Sequence, residues 1–182
     1  NIKNALKLVL HIPLRAENLC NLKWNQIDFE KKILTIPREN MKLSNINLDD
    51  FVMPLTDEVI NILNEHKDMQ FFSSKSKEYV FLGFNNSKPI NKESPNRALF
   101  RLGFNDEKKG TKIRLHGFRG TFRSLIDTLD TKRKFSFEVK ERALDHHDKN
   151  LVVRSYNHKA NYQEHMRELM DFWSEFICSL KE

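Results

Sequence analysis

The sequence predicts an α+β domain, mainly α-helical, with a small antiparallel β-sheet near its N-terminal third. Two kinds of observation predict it. Apolar stripes at helical spacing occupy both ends of the chain, Ala5, Leu6, Leu8, Val9 and Ile12 at one and Met166, Leu169, Met170, Trp173, Phe176, Ile177 and Leu180 at the other. Between residues 26 and 55 lie short strand-like runs separated by polar connections. A chain of 182 residues suits one domain spanning 1–182, and no repeat, low-complexity tract or interdomain linker divides it.

The first stripe stops at Pro13, whose ring cannot continue a helix. Leu19, Leu22 and Trp24 continue a second helical stripe from about Ala16. Gln26–Phe29, Ile33–Ile36 and Phe51–Leu55 read as strands. The connection from Pro37 to Asp50 is long for a hairpin, and long connections tend to carry function or disorder. Thr56-Asp57-Glu58 caps a helix to about Gln70, with Val59, Ile62, Leu63 and His66 on one face. Tyr79–Leu82 is a short buried run, Glu93–Arg101 reads as a helix, and Asn105–Lys112 as a charged loop. From Leu115 the pattern is helical, broken near Asp130–Ser136, and the last long helix covers about Tyr162–Leu180.

Charge and composition narrow the function classes. A net charge of +6 and a pI near 9.3 favour a polyanionic partner, though modestly. Cys20 and Cys178 form no disulfide framework or zinc spacing and fit a reducing compartment. No apolar run approaches the roughly 18 residues of a membrane span, and no signal peptide is visible. The chain starts Asn1-Ile2-Lys3 on what reads as a helix, so we expect a further N-terminal part in the full-length protein.

Several residues carry candidate chemistry. His116 and Arg119 are three apart, so on a helix they share a face, and a helix start there would favour an anion. The alternative is an exposed basic helix start. Arg15 opens the second helix and could hold the same anion or sit on the surface. Lys42 lies on the long inter-strand connection, as a proton donor or as a solvated lysine. Asp145-His146-His147-Asp148 could bind a metal and also spells the Asp-His-His string of a phosphoesterase family, but those enzymes need further metal-binding aspartates on apolar strands, whereas the preceding stretch Glu138–Leu144 is charged and helical. A phosphate-binding histidine or a helix-cap cluster remains. Tyr156 is either a half-buried core residue or a nucleophile whose phenol, with a pKa of about 10, needs nearby cations to become phenolate. Tyr162 is the rival nucleophile, but it begins the last apolar stripe and is better placed for packing.

In order and spacing these residues resemble the catalytic domain of the tyrosine recombinase (phage integrase) family, over almost the whole chain. Residues Arg15 to Asp28 look like the family's Arg-led helix followed by Leu, Trp and an Ile-Asp turn. Ile36-Pro37-Arg38-Glu39-Asn40-Met41-Lys42 is similar to the lysine-bearing hairpin, and Val52–Thr56 to its return strand. Leu115-His116-Gly117-Phe118-Arg119 resembles the His-x-x-Arg box, Leu144-Asp145-His146 the third-histidine box, and Ser155-Tyr156-Asn157 the nucleophile box.

The resemblance implies a tyrosine-recombinase-like fold and a site made of Arg15, Lys42, His116, Arg119, His146 and Tyr156. Tyr156 would attack the scissile phosphate, Arg15 and Arg119 would clamp it, and Lys42 would protonate the leaving oxygen. His116 would assist proton transfer at the tyrosine, and His146 would hydrogen-bond the phosphate. No cofactor or metal is implied. The partners implied are a double-stranded DNA attachment site and further copies of the chain, as a tetramer assembled through the C-terminal segment, in the bacterial cytoplasm. The bland alternative, and the safer one, is that this segment simply packs on its own core. An N-terminal DNA-clamping domain, usual in the family, is absent from residues 1–182. Three departures stand out: Ile12-Pro13-Leu14 replaces the usual Thr-Gly, Asn18 replaces an acid, and Asp145 replaces a glycine, which leaves His147 as an alternative to His146. Rival readings are a type IB topoisomerase-like enzyme and an inactive, integrase-derived DNA-binding module.

Overall fold

The computed structural model describes residues 1–42, 48–71, 77–146 and 162–180. Helix α1 (Ile2–His11) ends where expected, with Ile12 extended ahead of Pro13. The short α2 (Ala16–Cys20) follows. Strands β1 (Ile27–Asp28), β2 (Ile33–Ile36) and β3 (Phe51–Pro54) form one antiparallel sheet in the order β1-β2-β3. Leu34 opposes Met53 and Ile36 opposes Phe51, and all four are buried, so the alternation of β2 fixes the register.

Helix α3 (Asp57–Phe71) starts at Thr56, whose hydroxyl accepts the Val59 amide. Its inward face includes His66, which is 2% exposed. One ring nitrogen of His66 lies 2.7 Å from the Val80 carbonyl and the other 3.3 Å from the Asn4 amide. Burial lowers its pKa, so this is a neutral core histidine. The expected buried run at 79–82 makes two isolated bridges, Lys23 to Tyr79 and Leu82 to Pro89. Helices α4 (Ser94–Arg101), α5 (Gly117–Leu129), α6 (Phe137–Ala143) and α7 (Gln163–Ser179) complete the described chain.

Helix α7 packs on its own domain, against β3, α1 and α6. Met166, Leu169, Met170 and Trp173 are buried, while Phe176 and Ile177 are partly so. Leu180 departs from the expected stripe: it is 66% exposed, because it caps the helix one residue past the last turn that meets the core. Trp173 packs edge-to-face with Phe122 on α5, ring centres 5.1 Å apart, and its indole N–H donates to the Leu10 carbonyl at 2.7 Å. Among the described residues no helix is long and apolar enough to cross a membrane, and no buried side-chain nitrogen or oxygen lacks a partner.

Because Phe122 is 1% exposed and links α5 to the Trp173 ring, Phe122→Ala should cost about 3–5 kcal/mol of folding stability. Urea unfolding followed by tryptophan fluorescence measures this. A loss under about 1 kcal/mol would mean the α5–α7 contact is not part of the core.

Candidate active site

Arg119 lies in the first turn of α5, yet it points inward and is only 6% exposed. Its guanidinium donates to the Pro13 carbonyl at 2.5 Å and to the Leu144 carbonyl at 2.6 Å. Burial, then the nearby charge of Arg15, lowers its pKa to about 10, while Asp145 acts in the opposite direction. It therefore stays charged at neutral pH. The Pro13 carbonyl lies just ahead of Arg15, the extended cap residue of α2. Leu144 closes α6. One buried cation thus draws the starts of α2 and α5 and the end of α6 together.

The end of α6 is a Schellman turn. The Asp145 amide donates to the Arg142 carbonyl and the His146 amide to the Glu141 carbonyl, both at 2.9 Å. Asp145 takes the left-handed backbone this turn requires, with φ 52°, a position that favours glycine but that aspartate tolerates. Its carboxylate is buried between two guanidiniums. Arg15 Nη1 donates to one oxygen at 2.7 Å and Arg38 Nη1 to the other at 2.8 Å. Arg15 Nη2 also reaches the Asp145 carbonyl at 3.3 Å.

Arg38 is a site residue that sequence reasoning missed. It sits in a 3-10 turn, Arg38–Asn40, just after β2, and is 7% exposed. Its Nε donates to the Asp49 carbonyl at 2.7 Å, and its amide to the Asp50 carboxylate at 2.8 Å. Both ends of the 38–50 connection are therefore tied to this one residue. The signal was available: a buried acid in place of glycine needs a cation, and Arg38 lies in the same short string as Lys42.

His146 follows the Schellman turn, and its Nδ1 lies 2.8 Å from a Glu141 oxygen. The other Glu141 oxygen accepts Arg123 Nε at 2.6 Å. Burial pushes the Glu141 carboxyl up, but hydrogen bonds from Arg123 and His146 outweigh this and hold it below the usual carboxylate range. With Nδ1–H donating to Glu141, Nε2 is turned toward Arg119 Nη2, at 3.5 Å.

The structure thus brings together Arg15, Arg119 and His146 of the expected residues. His116 is the cap residue of α5, with helical backbone angles, and is exposed, whereas Arg119 is buried. Lys42 is exposed on the rim of a cleft of about 420 Å³ lined also by Asn18, Lys23, Glu39 and Asn40. Asn18 donates its side-chain amide to the Asn40 carbonyl at 3.0 Å, a bond that a carboxylate could not donate. Tyr156 and His147 lie outside the described residues. Tyr162, the rival nucleophile, packs against the core beneath the Arg142 guanidinium, 4.1 Å from its ring centre.

Three guanidiniums around one carboxylate leave excess positive charge in a partly desolvated place, which suits an oxyanion. Fold and site together define a mainly helical domain with an anion-receptive arginine cluster. The chain belongs to the phage integrase family, which it matches over residues 1–163. Prophage integrase IntA of Escherichia coli K12 is 30% identical over 90% of this chain and 35% of its own length. The integrase of Shigella phage Sf6 is 28% identical over 95% of this chain and 41% of its own length. The chain therefore spans less than half the length of these relatives. Among solved structures, XerA recombinase shares the fold with a TM-score of 0.58 at 20% identity, covering 87% of this chain and 57% of its own. The Tn1549 transposon integrase, solved with circular intermediate DNA, gives 0.54 at 16% identity, with 87% and 53% coverage.

Arg38 and Asp145 should be energetically coupled. Arg38→Ala and Asp145→Gly should each destabilise the fold, by about 3–5 kcal/mol for a broken buried pair, and the double variant by about 1–3 kcal/mol less than their sum. Strictly additive unfolding energies would rule the coupling out. Glu141 predicts an acid limb. Its folded pKa is lowered, so its contribution is complete above the unfolded value of about 4.3 and is lost as pH falls through the folded value. Urea midpoints measured down this range should fall less steeply for Glu141→Gln than for the parent.

Proposed function

We propose that the chain is the catalytic domain of a site-specific DNA recombinase that cuts and rejoins duplex DNA through a 3′-phosphotyrosyl intermediate. The observation that carries this reading is the convergence of Arg15, Arg119 and His146 at the Schellman turn after α6, in a chain of the phage integrase family. A phosphodiester seated there meets cations that need no reorganisation as charge develops on its non-bridging oxygens.

Tyr156 is the proposed nucleophile. Its phenolic oxygen forms the new bond to phosphorus, and the bond to the 5′-oxygen breaks. The tyrosine proton passes to His116, and Lys42 gives a proton to the departing 5′-oxygen. His146, oriented by Glu141, hydrogen-bonds the phosphate. Reversal by a 5′-hydroxyl from a partner strand rejoins the DNA and releases Tyr156. The phosphotyrosyl bond conserves the energy of the cut, and fixed guanidiniums do the electrostatic work, so neither a cofactor nor a metal takes part. The full-length protein would carry an N-terminal DNA-clamping domain, act in the bacterial cytoplasm and assemble as a tetramer on its attachment site. A second reading, a DNA-binding module without activity, is favoured by one contact alone: the Asp145 carboxylate already holds one Arg15 nitrogen.

Covalent trapping tests the proposal. Full-length protein is incubated without metal on nicked suicide substrates bearing the element's attachment site, then run on a denaturing gel. A protein–DNA band that survives chelator and vanishes in Tyr156→Phe is the expected result. A band persisting in that variant would move the nucleophile, with Tyr162 next to test. No band from the parent would leave the binding module.

A further inference from the structure

We infer that His11, Glu58 and Cys178 form a binding site for a divalent transition metal, zinc by its donor set, that fastens the C-terminal helix to α1 and α3. The inference is independent of the recombinase reading. The candidate ligand atoms of these residues all lie within 4.8 Å of one another. They come from three elements: His11 ends α1, Glu58 lies in the first turn of α3, and Cys178 lies in the last turn of α7.

The donor set is one imidazole, one carboxylate and one thiolate. Zinc accepts all three and commonly takes three protein ligands plus water. Tetrahedral coordination at about 2.0–2.3 Å would set the donors roughly 3.3–3.8 Å apart. The present spread needs a closure of about 1 Å, within reach of side-chain torsions at helix ends. The surroundings hold the imidazole in place. His11 is 2% exposed, and its Nδ1 lies 2.7 Å from the Ser174 hydroxyl, which accepts the Thr56 hydroxyl at 3.1 Å. Such an outer hydrogen bond is how metal-ligating histidines are oriented. Ser174 and Cys178 are four residues apart on α7, so one helix face supplies both the orienting hydroxyl and the sulfur. On binding, the thiol proton goes to solvent, and thiolate and carboxylate balance the two charges of the metal.

The two cysteines make the test selective. Burial, and secondarily the charge of Glu93, pushes the Cys20 thiol up to about 11, so it stays protonated and inert near neutral pH. Cys178 is half-buried and is the thiol open to reagents. Chelator-treated protein is titrated with cobalt as a spectroscopic probe, then with zinc, following near-ultraviolet absorption, iodoacetamide labelling and the thermal midpoint. The expected results are a thiolate-to-cobalt charge-transfer band saturating at one metal per chain and at least tenfold slower alkylation of Cys178 with zinc. The midpoint should rise by roughly 5 °C once zinc is at 100 times its Kd. All three should vanish in Cys178→Ser, which alters a side chain outside the tight core, and persist in Cys20→Ala. Equal alkylation with and without zinc, or the same midpoint shift in Cys178→Ser, would overturn the inference. The trapping experiment reads neither outcome, so the two proposals fail separately.

Discussion

Arg119 is a charge largely withdrawn from water, and the surrounding chain is arranged to meet that demand. An isolated buried guanidinium is prohibitively unfavourable, so its N–H groups must find acceptors within the protein. They find the carbonyls of Pro13 and Leu144. Neither carbonyl is used within a helix, because one follows the end of α1 and the other closes α6. Satisfying one side chain therefore fixes the meeting of three helix ends, and the residues beside those carbonyls, Arg15 on one side and Asp145 with His146 on the other, come along. The geometry of the site follows from the solvation of Arg119.

The second level of order is charge balance. An acid at residue 145 would oppose any incoming anion if it stood alone. Arg38 answers it from the sheet side, and Arg15 from the helix side. With Arg119 alongside, positive charge remains in excess. A similar logic holds His146, whose ring is aligned by Glu141, itself tied by Arg123. Arg15 and His146 each rest on a more buried carboxylate, Asp145 and Glu141, which is the arrangement expected of preorganised electrostatics.

The fold was legible in the sequence because its elements are amphipathic and clearly punctuated. Pro13, the Thr56 cap and the alternation of Ile33–Ile36 each fix a boundary or a register locally. Arg15, Arg119 and His146 were expected together from the family resemblance, and the structure brings them together. The sequence did not disclose the long-range pairings. That Asn18 would serve the Asn40 carbonyl, or that Arg38 would turn inward, depends on how separate elements meet. Spacing along one helix carries no information about that. The cluster of His11, Glu58 and Cys178 is hidden for the same reason, since its members lie far apart in the chain.

The connection that carries Lys42 is rooted more deeply than its length suggests. Arg38 ties its two ends, and Met41, 5% exposed, is buried in the core one residue before the lysine. Lys42 is thus held on a tether of a single residue. One Cα step of about 3.8 Å plus an extended side chain limits its amine to a search radius of roughly 10 Å around the Met41 Cα. Within so small a sphere a single amine has an effective concentration far above that of any lysine in free solution, and the length of the remaining loop hardly affects it.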